Sequence, residues 1–204
     1  EKENLDMVRL LIQHGAEVLD GFFLFDFLWQ NDDDATRGKQ REKIIDFLLT
    51  RKIGINQQDA RGSTLLMTAL SWGKCNLAER LLAAGADVNI QNKYGTTALM
   101  DAVENLRCND VIVTLIRKGA NMNLQDNKGY TALNYAVFDE NEGAFRMLIR
   151  EGANITLEDN DGMNLEQNIE AKIDFLEEEG DDDPERNEDL RQMLDMVRHY
   201  TPPL

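Results

Sequence analysis

Two histidines, two cysteines and three aspartate-rich segments are the side chains of this 204-residue chain best suited to catalysis or metal binding, and their spacing argues against both. His14 and His199 are the only histidines and stand near opposite ends of the sequence, so a histidine-paired nucleophile or a multi-histidine metal site has little raw material. Asp159-Asn160-Asp161-Gly162 has the opening of a calcium loop, but the position six residues after the glycine is Asn168 where a bidentate glutamate is needed. That segment reads as a turn. Asp32 to Asp34 and Asp181 to Asp183 read as solvated loops rather than cation sites. No glycine-rich phosphate cradle is present. We therefore expect no catalytic residue, no metal and no cofactor in this chain.

Charge narrows the partners. The formal net charge is -16, which opposes binding to a phosphate backbone because that binding draws on lysine and arginine displacing counterions. The charge is uneven: residues 59–128 carry seven acidic and eight basic side chains, whereas residues 177–190 carry nine and one. The longest apolar run, Phe22 to Leu28, is interrupted by Asp26 and is far too short to span a bilayer. No basic segment followed by an apolar core marks a secretion signal, and the chain opens at Glu1 without an initiating Met, as a fragment of a longer polypeptide would. Cys75 and Cys108 lie 33 residues apart. Helices in adjacent layers pack about 8–10 Å apart and a disulfide needs α-carbons within about 7 Å. Two free thiols, and with them a reducing cytosolic or nuclear setting, are the expectation.

The elements that carry these residues repeat. Gly-x-Thr-x-Leu-x-x-Ala occurs at Gly62 to Ala69, Gly95 to Ala102 and Gly129 to Ala136, with a degenerate copy from Gly162, so the glycines are 33, 34 and 33 residues apart. A second signature keeps the same beat: Gly85-Ala86-Asp87-Val88-Asn89, Gly119-Ala120-Asn121-Met122-Asn123 and Gly152-Ala153-Asn154-Ile155. On these two motifs the chain resembles the ankyrin-repeat family, whose unit is a turn plus two antiparallel helices of about 33 residues. The resemblance implies an all-α solenoid of stacked helix-turn-helix units with β-hairpin fingers. One repeat domain over 1–204 is expected, divided into a partial first repeat (1–18), a degenerate repeat with a loop insertion (19–56) and three full repeats (57–91, 92–125, 126–158). A degenerate capping repeat (159–204) would follow, interrupted by an acidic insertion at 177–189.

Within the unit 59–91, Thr64 reads as the N-cap of a first helix with Leu66, Ala69 and Leu70 on its apolar stripe. A second helix from about Asn76 to Ala84 carries Leu77, Ala78, Leu81 and Leu82, and Gly85 ends it in the left-handed region. The next unit repeats this with Thr97, Leu99, Ala102, Val111, Ile112 and Leu115, and accommodates one extra residue near Leu106 to Asp110. The third has Thr131, Leu133, Ala136, Phe145 and Leu148. Leu190, Met193, Leu194 and Val197 suggest a last, capping helix. Lys52 replaces the helix-ending glycine of the second unit. The aromatic group Phe22, Phe23, Phe25, Phe27 and Trp29 is read as core. The family's Thr-Pro-Leu-His has become Thr64-Leu65-Leu66-Met67 and its counterparts, so the histidine that bridges turns in the family is missing and weaker inter-repeat bonding is expected.

The resemblance also supplies a site. In this family the finger turns and the exposed ends of the first helices line a concave face that grips partners. Carried onto this chain, those positions include Arg61, Ser63 and Trp72; Lys93, Tyr94, Thr96 and Glu104; and Asn127, Lys128, Tyr130, Phe138 and Asp139. Arg61, Lys93 and Lys128 then form a basic stripe among aromatics, the residue types that most often carry interface energy. The implied function is a scaffold or adaptor that binds a protein segment, acidic in character, and acts as a monomer. The segment 177–189 folding back on the stripe would mask it. The alternative is a substrate-recruiting or regulatory domain of a larger enzyme, such as a kinase, ubiquitin ligase or bacterial effector.

Overall fold

The computed structural model describes residues 43, 45–47, 49–51, 54–178 and 184–200, the backbone alone over 184–187. The expectations for 1–18, for the Phe22 to Trp29 group, for Asp32 to Asp34, for Lys52 and for Asp181 to Asp183 lie outside the described residues. From residue 65 onward the elements are α1 (Leu65–Ser71), α2 (Cys75–Ala84), α3 (Ala98–Glu104), a 3-10 turn (Leu106–Cys108), α4 (Asn109–Arg117), α5 (Ala132–Phe138), α6 (Glu142–Arg150), α7 (Leu165–Glu178) and α8 (Pro184–Arg198). Each pair packs within itself, while α1, α3, α5 and α7 stack as an inner row and α2, α4, α6 and α8 as an outer row.

The first three inner helices, α1, α3 and α5, each start where a threonine stops the preceding turn, and α7 starts after Asn164 instead. Thr64 Oγ1 accepts the N–H of Met67 at 3.3 Å, and Met67 Sδ accepts the N–H of Thr64 at 3.4 Å. Thr97 and Met100 repeat both contacts at the same distances. In the third unit Asn134 takes the place of methionine, its Oδ1 accepting the N–H and the hydroxyl of Thr131 at 2.9 Å. These are capping boxes with sulfur or an amide in the role usually held by a carboxylate. The seam between the rows is dry: Leu66, Leu70, Leu81, Leu82, Leu99, Ile112, Leu115, Leu133, Phe145 and Leu148 are fully buried.

The fingers are tight turns rather than extended strands; a single antiparallel bridge, Gln58 to Thr64, is formed among the described residues. In each, one side chain closes the turn. Asp59 Oδ1 accepts the N–H groups of Arg61 and Ser63 at 2.8 Å, and Asn92, Asp126 and Asp159 do the same one repeat on. Asp159 is thus the closing residue of the fourth turn, which explains its calcium-loop look. Gly129 has φ of 85°, and a β-carbon there would stand 2.6 Å from the Cα of Asp159, because the next finger passes directly over it. Gly162, in the last finger, has nothing within 4 Å.

Bridging between turns, which the resemblance gives to histidine, is done here by glutamines. Gln91 Nε2 donates to Gly95 O at 2.7 Å and to Gln125 O of the next unit at 2.9 Å; Gln58 and Gln125 make the equivalent pairs. A second ladder runs through the Gly-Ala-Asp/Asn-x-Asn motif, where Asn89 Oδ1 accepts from Asn121 N at 2.7 Å and Asn123 Oδ1 from Asn154 N at 2.8 Å. The expectation of weakened bonding between repeats overlooked these amides.

The expectation of free thiols is overturned. Cys75 and Cys108 are joined as a disulfide, with α-carbons 5.3 Å apart. The packing distance between helix axes was the wrong measure, because neither cysteine sits mid-helix. Cys75 is the first residue of α2, and Cys108 caps α4 at the end of the 3-10 turn that absorbs the extra residue of its repeat. That turn lies against the preceding unit, so the two sulfurs meet across the gap. The inference from free thiols to a reducing compartment loses its premise.

At the far end, α8 packs on α7 and α6 with Leu190, Met193, Leu194 and Val197 buried. Helix continues through Glu178 and resumes at Pro184, a residue suited to the first helical turn, so much of the segment 177–189 is helix rather than loop. Glu177 pairs with Arg191 at 3.0 Å within this cap, rather than with the basic stripe that a mask would cover.

Candidate partner-binding face

The finger tips are held in register by one backbone bond per step. Lys93 N donates to Arg61 O at 2.9 Å, Asn127 N to Tyr94 O at 2.9 Å, and Asn160 N to Lys128 O at 3.0 Å. Equivalent tip positions, one residue before each motif glycine, are therefore Arg61, Tyr94, Lys128 and Asp161. Lys93 belongs to the preceding column with Ala60, Asn127 and Asn160. The three basic residues thus occupy two columns, and only Arg61 and Lys128 are equivalent, with exposed Tyr94 between them.

Other predicted residues divide between surface and scaffold. Asn127 Nδ2 donates to Lys93 O at 2.8 Å, so its side chain ties the fingers together. Ser63 Oγ accepts from Asn92 Nδ2 at 3.4 Å. Thr96 is half-buried beside its finger. Tyr130 and Phe138 meet edge to face with ring centroids 4.9 Å apart, and the Lys128 ammonium lies 6.0 Å from the Tyr130 ring centre. Trp72, at the end of α1, is 60% exposed, and Glu104, at the end of α3, is exposed too.

Beside the fingers, the ends of the inner helices form an acidic floor. A cavity of about 570 Å³ opens there, lined by Ser71, Asp101, Glu104, Asn105, Leu106 and Arg107. Asp101 is buried, and burial pushes its carboxyl up to about 7, the Glu104 charge adding to this and the Ser71 hydroxyl opposing it. Asp139 is raised to about 6 by burial and by Glu104, with Lys172 pulling the other way. Lys172 is held by Phe138 O at 2.8 Å and Glu140 at 3.1 Å. The face is therefore two-toned, with basic and aromatic tips above a floor of protonatable carboxyls.

Asp101, Leu106 and Arg107 were not among the predicted site residues. Asp101 was legible as an acid set between apolar Met100 and Ala102, in a helix whose other residues at 98–103 are all apolar and buried. Leu106 and Arg107 enter through the 3-10 turn, whose shape depends on contacts with the preceding repeat.

Among the described residues no group of three or more histidines, cysteines or acids could hold a metal ion, and no helix is long and apolar enough to cross a membrane. Comparison with known proteins agrees with the architecture. A family profile of three tandem ankyrin repeats matches residues 34–126, and the profile of a single ankyrin repeat matches 128–160. An ankyrin repeat protein of Coxiella burnetii is 45% identical over 64 residues, which are 30% of this chain and 19% of that protein. M-phase phosphoprotein 8 of Homo sapiens is 44% identical over 50 residues, 24% of this chain and 6% of the relative. Ankyrin repeat protein 14 of Vaccinia virus is 37% identical over 62 residues, 30% of this chain and 26% of the relative. The aligned stretches thus span about a quarter or less of the length of these relatives. Two matched profiles, the repeat period and the stacked helix pairs show together that the chain belongs to the ankyrin-repeat family.

Proposed function

We propose that this chain is a protein-interaction module that holds a segment of a partner along its finger tips and the ends of its inner helices. Ankyrin repeats generally mediate protein–protein interaction and are typically non-catalytic. The observation that carries the reading is the register of the fingers, which lines up Arg61, Tyr94 and Lys128 along one preformed edge, so little ordering is required when a partner binds. The module acts as a monomer, and its partner is a protein rather than a nucleic acid. Acidic side chains of the partner face the tips, and a basic side chain faces Glu104 and Asp139.

Peptides selected on the protein from a random display library test this. The selected sequences should combine acidic residues with at least one lysine or arginine. Joint reversal of Arg61, Lys93 and Lys128 to glutamate should weaken their binding at least tenfold. Unchanged affinity in that triple variant would remove the tips from the site. Service as the recruiting domain of a larger enzyme would use the same face, and the complete reading frame decides between the two.

A further inference from the structure

The cavity beside Asp101 has one wall that the rest of the stack does not share. Asn105, Leu106 and Arg107 belong to the turn inserted between α3 and α4, and the disulfide fastens the end of that turn to α2 of the preceding repeat. Asn105 Nδ2 donates to Leu70 O and Ser71 O at 3.0 Å, and Arg107 packs across Gly73. Leu106 is 58% exposed and contributes almost nothing to the core.

We propose that Cys75 and Cys108 form a thiol–disulfide switch that sets the order of this wall and, through it, the affinity of the partner-binding face. The link to affinity rests on the functional reading above. The two sulfurs are unequal in a way that fixes the direction of attack: Cys108 is wholly buried, while Cys75 is half-buried. A reducing thiolate attacks Cys75 Sγ, the Cys75–Cys108 bond breaks, and the Cys108 sulfur leaves with the electron pair and takes up a proton. The second thiol of a dithiol reductant then resolves the mixed disulfide, freeing Cys75 and closing the reductant's own ring. Two electrons and two protons reach the protein, and the reductant is oxidised to its disulfide. Once reduced, Cys75 gains a hydrogen to donate to Arg107 O, 3.2 Å from its sulfur. The released turn thus keeps a weak, reversible tie at the same place.

Hydrogen exchange of the Arg107 and Cys108 amides reads the switch without any partner, since both are hydrogen-bonded, to Asn105 Oδ1 and to Asn105 O. After equilibration with oxidised glutathione, the protein should show no titratable thiol; dithiothreitol should expose two. Exchange at Arg107 and Cys108 should then accelerate at least tenfold, while the Ala144 amide, bonded to Asn141 in the next repeat, stays unchanged. Cys108→Ser should exchange at the fast rate with or without dithiothreitol, and Cys75→Ser supplies the same comparison should the first variant fold poorly. Two free thiols under oxidising conditions, or equal exchange in both states, would overturn the switch. Control of binding is read separately, as an at least fivefold loss of affinity for a library-selected peptide on reduction. Altered exchange with unaltered affinity refutes that control while leaving the binding face intact, whereas loss of peptide binding in both states points to the face itself.

Discussion

Two neighbouring interfaces of the stack solve one geometric problem with different chemistry. Positions 75, 108 and 141 recur every 33 residues, Cys75 as the first residue of α2 and Cys108 and Asn141 as the N-caps of α4 and α6. Between the first two the link is covalent, Cys75 to Cys108. Between the second and third it is a buried amide network. Asn141 Nδ2 donates to Val103 O and to Asn109 Oδ1, both at 2.8 Å, while Asn141 Oδ1 accepts from Asn109 Nδ2 at 3.3 Å and from Ala144 N at 3.1 Å. One contact responds to electrons and the other does not. A repeat array whose stability is a sum of units and neighbouring interfaces can therefore be loosened at one joint alone.

The largest expected effect breaks the covalent joint. For 33 residues between the linked cysteines, chain entropy gives about 3–4 kcal/mol, so Cys108→Ser should lower the melting temperature by about 5–15 °C under oxidising conditions and by far less in dithiothreitol. Equal losses in both states would mean that the position matters through packing. Next comes Asn141→Ala, which removes an N-cap bond and strands Val103 O and Asn109 in a buried site. Denaturant unfolding should show a loss of about 2–4 kcal/mol that is indifferent to reductant, and a redox-dependent loss would erase the contrast between the joints.

A third prediction concerns the floor between these joints. The folded-state value of Asp101 lies near 7, above its unfolded value of about 4, so the native state binds the extra proton. Its contribution is fully present below pH 4 and is lost as pH rises toward 7. Asp101→Asn should remove a decline of about 1–3 kcal/mol between pH 4.5 and 8, measured against wild type by urea unfolding at both values. Parallel pH profiles would show that Asp101 titrates normally. Smallest is Asn105→Ala, expected to lose about 1–2 kcal/mol with the disulfide closed and more with it open, since the two ties share one turn. Additive losses in that cycle would show that the turn is held independently by each.

What was legible in the sequence follows from what repeats. Thr64, Thr97 and Thr131 as caps, Gly85 as a terminator and the Leu66, Ala69, Leu70 stripe are local or periodic, and the structure has them in those roles. The Gln58, Gln91, Gln125 ladder is equally periodic and went unread, because a surface glutamine has no local signature of reaching the next repeat. The disulfide was misjudged because it depends on where an inserted residue sends the chain, a property of neither repeat alone. The division of Arg61, Lys93 and Lys128 into two columns was visible in their offsets from Gly62, Gly95 and Gly129. Reading the basic residues as one stripe passed over it.

The face itself is tested most directly by nuclear magnetic resonance on the isotope-labelled chain titrated with a library-selected peptide. Binding across the fingers and inner helices predicts the largest shifts at Trp72, Tyr94, Leu106 and Tyr130, with the outer row α2, α4 and α6 silent. Shifts concentrated on that outer row, with Trp72 and Tyr94 unmoved, would contradict the account.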